Sequence, residues 1–151
     1  MSATAALPTV HRVPVDAVPP QPWRNGGGQT RELLTWPPGE ADWQLRISVA
    51  DIAADGPFSA FPGVQRWFVV LQGGGVQLGA GPALRRLTPD SAPFEFAGED
   101  APACTLLDGP TRDLNLMLRR DAGHAALWPA DEPWILPGNG NTDAVSRGLR
   151  G

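Results

Sequence analysis

Residues 22–37, PWRNGGGQTRELLTWP, join a glycine-rich loop to a β-strand. Asn25 and the three glycines after it tolerate positive φ, so the first half is not regular structure. Residues 30–36 contain Thr and Trp, which favour a pleated strand. No Gly-Lys-Ser/Thr follows the glycines and no helical pattern begins, which argues against a phosphate-binding loop. Two interpretations remain open: a turn in a β protein, or the rim of a ligand pocket.

The composition predicts one domain with many short strands and turns. The chain has 151 residues, and its 18 Gly and 17 Pro are typical of frequent turns. The formal net charge is -4 and the twelve arginines form no basic stripe, so nucleic acid is not an expected partner. A single cysteine excludes an internal disulfide. No secretory signal or membrane-length apolar run is visible, so we expect a cytoplasmic protein with no membrane partner.

Residues 43–50 give the clearest strand, because apolar and polar side chains alternate along them. The apolar side chains, which must pack on a core, are Trp43, Leu45, Ile47 and Val49. The opposite face carries Gln44, Arg46 and Ser48. That polar face either meets solvent, the commoner case for an antiparallel sheet, or lines a polar pocket.

A second organised loop spans residues 55–66, DGPFSAFPGVQR. Phe58 and Phe61 bracket Ser59, and Arg66 stands at the start of a predicted strand over residues 67–71. Arg66 is either a surface charge at a strand end or a side chain delivered to a site by this loop. Glycines 73–75 predict a hairpin to a strand at 76–78.

The remaining strands are short and separated by turns, as in a sandwich or barrel. A one-sided strand follows, in which leucines alternate with Asp113, Asn115 and other residues on the second face. Further strands are predicted at 9–15, 84–87, 94–96, 103–107, 125–128 and 134–136.

Three blocks, PWRNGGGQTREL, WQLRISVADIAADGPFSAFPGVQR and TRDLNLMLRR, closely resemble the HutD/Ves family of bacterial cupin-like proteins in order and spacing. The resemblance covers about residues 10–120. It implies an all-β fold, a cupin-type double-stranded β-helix or jelly-roll barrel. It also implies an accessory or regulatory protein that binds a small carboxylate of histidine catabolism, of the urocanate or formylglutamate type. We therefore expect a cupin-like domain at 9–136. The sequence itself predicts a flexible N-terminus at 1–8 and a mobile tail at 137–151, where glycine-containing turns are frequent and apolar residues are few.

The sequence lacks the residues needed for a transition-metal site or for a Ser-His-Asp triad. Metal-using cupins present a His-x-His, a Glu and a later His, whereas this chain has only His11 and His124, near opposite ends. With Cys104 as the one thiol, three nitrogen or sulfur ligands cannot be collected around a barrel. Neither His lies near a candidate loop for a Ser-His-Asp triad. We therefore expect no metal and no cofactor.

The polar residues that remain suit an anion, because arginine forks onto carboxylates with two parallel hydrogen bonds. The candidate ligand-binding residues, all within the family's matching blocks, are Asn25, Glu32, Arg46, Ser48, Ser59, Arg66, Asp113 and Asn115. In the competing interpretation, the two candidate arginines pair with Glu32 and Asp113 to tie strands together.

Two other classes of function remain open. One is a metal-independent cupin isomerase or hydrolase with Glu32 or Asp113 as general base, which requires a carboxylate with a raised pKa inside the pocket. The other is an interaction module without a small ligand. Family members continue beyond the third block with more strands, so we also expect a shortened barrel that either dimerises through an open face or loses stability. The alternative is a self-sufficient first barrel.

Overall fold

The computed structural model describes residues 12–128 and 144–146. Apart from 3₁₀ turns at Val15–Ala17 and Gly81–Ala83, the regular structure of these residues is β-strand. The strands are β1 Gln21–Pro22, β2 Gly28–Trp36, β3 Leu45–Ile52, β4 Gly56–Pro57, β5 Val64–Gly73, β6 Val76–Leu78, β7 Arg85–Leu87, β8 Phe94–Ala97, β9 Ala103–Leu106, β10 Thr111–Arg119, β11 Ala126–Trp128 and β12 Ala144–Ser146. The predicted all-β fold is confirmed. No helix in the described residues has the length and apolar character needed to cross a membrane.

Two antiparallel sheets face each other across a hydrophobic core. The larger has six strands in the order β1-β2-β3-β10-β5-β8, and the smaller has four in the order β4-β9-β6-β7. Phe68 and Val70 of the larger sheet pack in one cluster with Val76 and Leu78 of the smaller, all at most 1% exposed. The two sheets enclose this cluster between them, and the face of β5 that carries Phe68 points inward. We refer to the space between the two sheets as the barrel interior.

The six-stranded sheet is buried on its outer face as well. Val49, Val69 and Leu116 form a second cluster there, which Leu127 of β11 and Val15 of the first 3₁₀ turn cover in part. Arg46 and Ser48, from the polar face of the 43–50 pattern, therefore point between the two sheets, whereas Gln44 precedes β3 and is exposed. The same holds for β10, where Asp113 and Asn115 are buried on the inner face.

The predicted hairpin at glycines 73–75 is wrong. β5 pairs with β10 and β8, whereas β6 pairs with β7 and β9, so the glycine run carries the chain from one sheet to the other. A methyl group at Gly73 or Gly74 would overlap the backbone of Pro110 or Asp108. Glycine is therefore required by the close approach of the 108–110 turn and not by a two-strand turn.

The predicted strand at residues 9–15 is wrong where it is described, because residues 12–14 are not strand and Val15 begins a 3₁₀ turn. The prediction at 125–128 is confirmed by β11. β12 lies inside the segment expected to be a mobile tail and pairs in parallel with β11. The rest of that tail, the segments at 1–8 and 134–136, and His11 lie outside the described residues.

Candidate functional site

Cross-strand register gathers most of the predicted polar residues on the inner face of the six-stranded sheet. Glu32, Ser48 and Asn115 lie side by side on β2, β3 and β10. In the neighbouring row, Arg46 and Arg66 flank Met117 from β3 and β5. Asp113 lies one row further along β10, paired with Ala50 and Val70. Residues far apart in sequence thus line one continuous inner surface.

Arg66 is a cation held almost out of water, with 4% of its surface exposed. Its guanidinium carbon lies 5.3 Å from the ring centroids of Phe58 and Phe61 and 4.9 Å from that of Phe96. Burial is the main reason that the pKa of Arg66 is lowered to about 10; Asp113 opposes the shift, and Arg46 adds to it. Arg66 therefore keeps its charge at neutral pH inside a cage of three phenyl rings.

Asn115 connects Arg66 to Asp113. The Nη2 of Arg66 donates to Asn115 Oδ1 at 2.7 Å, and Asn115 Nδ2 donates to Asp113 Oδ1 at 2.7 Å. A guanidinium has only donors, so the amide oxygen must face Arg66 and the amide nitrogen must face the carboxyl group. These three side chains form a buried polar relay.

Two atoms of this relay have no hydrogen-bond partner in the part of the chain that the structure describes. Arg66 Nε and Asp113 Oδ2 are buried and make no hydrogen bond with the described residues. Asp113 is 0% exposed, and burial raises its pKa well above the usual value, although Arg66 opposes that shift. Buried polar atoms without partners are uncommon in folded proteins and mark places where an additional group can bind.

Of the two ion pairs that the alternative interpretation predicted to connect neighbouring strands, the structure forms one, between Arg46 and Glu32. Arg46 Nε lies 3.1 Å from Glu32 Oε1, as that alternative predicted, and the Glu32 side chain is 52% exposed. Arg66 makes no direct ion pair with Asp113 and reaches it only through Asn115. The Glu32–Arg46 pair therefore lies toward solvent, whereas Arg66 lies inside.

The structure places two predicted residues differently. Asn25 is exposed, and its Oδ1 accepts a hydrogen bond from the Gly27 backbone in the β1–β2 hairpin. This hairpin lies at the Gly28 end of β2, about 20 Å along the strand from the end next to Arg46. The Ser59 side chain is exposed, and only its backbone oxygen approaches Arg66 Nη1, at 3.4 Å.

Phe96 is the member of the site that the sequence did not indicate. A strand was predicted at 94–96, but the contact with Arg66 depends on the pairing of β8 with β5, in which Phe96 lies opposite Arg66. His124 is exposed. Cys104 is buried in the core, where burial raises the pKa of its thiol to about 12, so no thiolate forms at neutral pH.

A separate surface cleft of about 220 Å³ lies at the opposite end of the sheet, bordered by Asp51 and Arg112. Asp51 accepts hydrogen bonds from Arg112 Nε at 2.7 Å and from Arg31 Nη1 at 2.8 Å. The bond from Arg112 is the main reason that the pKa of Asp51 is lowered. Because these charges satisfy one another, the barrel interior is the better candidate site.

We expect the protein to hold no functional transition metal. Within residues 12–128, no group of three or more His, Cys, Asp and Glu side chains converges on a point. Elemental analysis of protein purified without a histidine tag is expected to find no stoichiometric metal. One zinc, iron, manganese or nickel ion per chain would contradict this prediction.

Comparison with known proteins places these features in a family. The model of the HutD family matches residues 16–134. The chain is 42% identical over 118 residues to Protein Ves of Citrobacter koseri, covering 78% of this chain and 62% of that relative. Protein Ves of Cronobacter sakazakii is also 42% identical over 118 residues, covering 78% of this chain and 65% of the relative. The chain thus spans less than two thirds of the length of these curated relatives.

Solved structures give the same result. HutD from Pseudomonas fluorescens SBW25 superposes with a TM-score of 0.66 at 38% identity, covering 72% of this chain and 60% of that one. The cupin domain of Cnp3 from Schizosaccharomyces pombe superposes with a TM-score of 0.55 at 14% identity, covering 70% of this chain and 72% of that one. The second likeness concerns the fold alone, and it agrees with the cupin-type barrel expected from the sequence.

Proposed function

The chain belongs to the HutD family, and from this membership we propose that it is a cupin-like accessory protein that binds a small carboxylate without a metal. The proposed ligand is an acid of histidine catabolism, of the urocanate or formylglutamate type. The observation that carries the proposal is Arg66, a caged and buried cation whose Nε has no partner among the described residues. The related HutD of Pseudomonas fluorescens was determined in a formate condition, and formate is the smallest carboxylate.

The electrostatics of the inner face favour an anion. Arg46 and Arg66 lie two strands apart in the same row, so their backbones are about 10 Å from each other. Each positive charge disfavours the other, and Arg46 contributes to the lowered pKa of Arg66. A carboxylate between the two guanidinium groups would relieve this repulsion and supply the acceptor that Arg66 Nε lacks.

The surroundings of Arg66 strengthen such a contact. Phe58, Phe61 and Phe96 exclude water from the guanidinium, and hydrogen bonds between charged groups gain strength where the local dielectric constant is low. Glu32 lies at the solvent side, where it pairs with Arg46 and can accept a hydrogen bond from an N–H of the ligand. A small acid with a nitrogen donor at its other end matches this arrangement.

The test is calorimetric titration of urocanate and formylglutamate into the wild-type protein and Arg66→Lys. Lysine keeps the charge but loses the planar fork and the Nε donor. Loss of a charge-assisted bond costs about 1.5–3 kcal/mol, so we expect affinity to fall at least about tenfold.

The matched control is Arg85→Lys, because Arg85 also lies over a phenyl ring, that of Phe94 at 5.8 Å, but is exposed on β7. We expect Arg85→Lys to bind like the wild type. Equal affinities in the two variants would disprove the assignment of Arg66, and no binding of either acid by the wild type would disprove the proposed function.

One observation favours a second candidate, a metal-independent isomerase or hydrolase. Asp113 is a carboxyl group inside the barrel whose pKa burial raises, which is the condition that general acid–base catalysis at neutral pH requires. Glu32 is half exposed and paired with Arg46, so it is the weaker candidate base. Turnover of either acid by the pure protein, abolished in Asp113→Asn, would identify an enzyme.

A further inference from the structure

Asp113, Asn115 and Arg66 form a linear relay in which the two ionisable groups touch only through an amide. We propose that this relay couples anion binding to proton uptake: when a carboxylate occupies the Arg66 end, Asp113 takes up a proton at Oδ2, the oxygen that has no partner among the described residues. The inference rests on the proposed function, because the anion is the ligand of the same site. It adds a regulatory property, a ligand affinity that rises as the pH falls.

The absence of direct contact between Arg66 and Asp113 makes the coupling possible. A carboxylate in a close pair with an arginine stays ionised, as the lowered pKa of Asp51 beside Arg112 illustrates. Asp113 instead receives one neutral hydrogen bond from Asn115, while Arg66 attracts it from a longer distance. Burial and attraction therefore oppose each other at Asp113, so a change at Arg66 shifts the balance.

The ionisable groups around Asp113 also support the coupling. Arg66 on β5 is the group that favours the ionised form, whereas Asp51 on β3 disfavours it. Cys104 on β9 interacts with Asp113, but its raised pKa keeps it neutral at neutral pH. Arg66 is therefore the one cation that stabilises an ionised Asp113 among the described residues.

A bound carboxylate brings a negative charge to Arg66 and cancels much of its attraction for Asp113. Burial then dominates, so the carboxyl group binds a proton more tightly. The charges balance, because one negative charge enters with the ligand and one positive charge enters as the proton. Full coupling of one proton changes affinity by at most about tenfold per pH unit.

The first experiment titrates formylglutamate into the wild-type protein by calorimetry at several pH values above about 6, where the acid itself does not titrate. The titrations are repeated in two buffers with different ionisation enthalpies. We expect fractional proton uptake in the wild type and tighter binding at lower pH, by up to about tenfold per unit. In Asp113→Asn we expect neither proton uptake nor pH dependence, whatever affinity remains. Binding without proton uptake in the wild type, or equal uptake in the variant, would overturn the inference.

The second experiment needs no ligand and no variant. Carbon-13 NMR of aspartate carboxyl groups in the wild type follows the titration of Asp113 directly, and we expect it well above the usual range for aspartate. An ordinary titration with intact ligand binding would overturn the coupling and leave the proposed function standing. If no carboxylate binds at any pH, the proposed function and the coupling both fail.

The sign of the stability effect provides a check. A folded-state pKa raised above the unfolded value of about 3.9 means that the stabilisation by the Asp113 proton is complete below that pH. It is lost as the pH rises through the folded-state pKa. The wild type should therefore lose stability relative to Asp113→Asn as the pH increases, and the opposite trend would contradict a raised pKa.

Discussion

Substitution of Asn115 by leucine is expected to lower the free energy of unfolding by about 2–6 kcal/mol, because two buried groups each lose a hydrogen-bond partner at about 1–3 kcal/mol. Leucine has the same branched skeleton of four heavy atoms as asparagine and is the bulkier of the two, so it opens no cavity. It removes the only side-chain acceptor of Arg66 and the only hydrogen-bond donor of Asp113 among the described residues. A buried cation and a buried carboxyl group are then left without the partner that connects them, and such uncompensated polar groups are costly.

The control for this substitution is Met117→Leu. Met117 lies two residues further along β10 on the same inner face and is also buried, but it takes no part in the relay. Volume-conserving apolar exchanges of this kind usually cost less than about 1.5 kcal/mol. Urea unfolding curves measure both variants. Equal midpoints for Asn115→Leu and Met117→Leu would mean that the relay contributes nothing to stability.

Alternation along the chain was enough to predict which side chains share a face. In β3 it grouped Arg46 with Ser48, and in β10 it grouped Asp113 with Asn115, as the structure has them. Alternation did not determine which face points inward, because the six-stranded sheet buries both of its faces. The usual rule, that the apolar side of a strand faces the core and the polar side faces solvent, therefore does not apply to this sheet.

Strand order and register could not be predicted from local sequence patterns. The same glycine run fits a hairpin and a crossing between sheets, and the two are distinguished by the strand partners of β5 and β6 and by the close approach of Pro110 to Gly73. Phe96, the third ring of the cage, contacts Arg66 only because β8 pairs with β5. Asn25 was grouped with the site because its loop is rich in glycine. The loop lies at one end of β2, however, and Arg46 pairs with the other end of that strand.

The loop between β4 and β5, which carries Phe58 and Phe61, connects the fold to the site. It is held at its centre by a hydrogen bond from the Phe61 backbone nitrogen to Gly98 O at 2.7 Å. Gly98 N donates in turn to Val64 O at 2.7 Å. Gly63 N donates to Glu99 Oε2 at 2.8 Å, and Glu99 also pairs with Arg120. The turn after β8 thus positions the phenyl ring of Phe61 over Arg66.

Gly98→Ala is therefore expected to disturb stability and ligand binding together. A methyl group at Gly98 would overlap the carbonyl oxygens of Phe61 and Val64. Because both are backbone atoms, the loop must move away as a unit, and we expect a cost of about 3 kcal/mol, the upper end of the usual range for overpacking. Displacement of Phe61 opens the Arg66 cage to water, which weakens the charge-assisted contact, so affinity for formylglutamate should fall at least about tenfold.

Gly56→Ala separates this effect from a general effect of replacing glycine near the loop. Gly56 lies at the start of the same segment, in β4, and a methyl group there would meet no atom within 4 Å. Its stability should stay within about 0.5 kcal/mol of the wild type, and its affinity should not change. Urea unfolding and calorimetry on both variants measure the two effects. If Gly98→Ala binds formylglutamate like Gly56→Ala while losing stability, the Phe61 loop supports the barrel but contributes nothing to the Arg66 site.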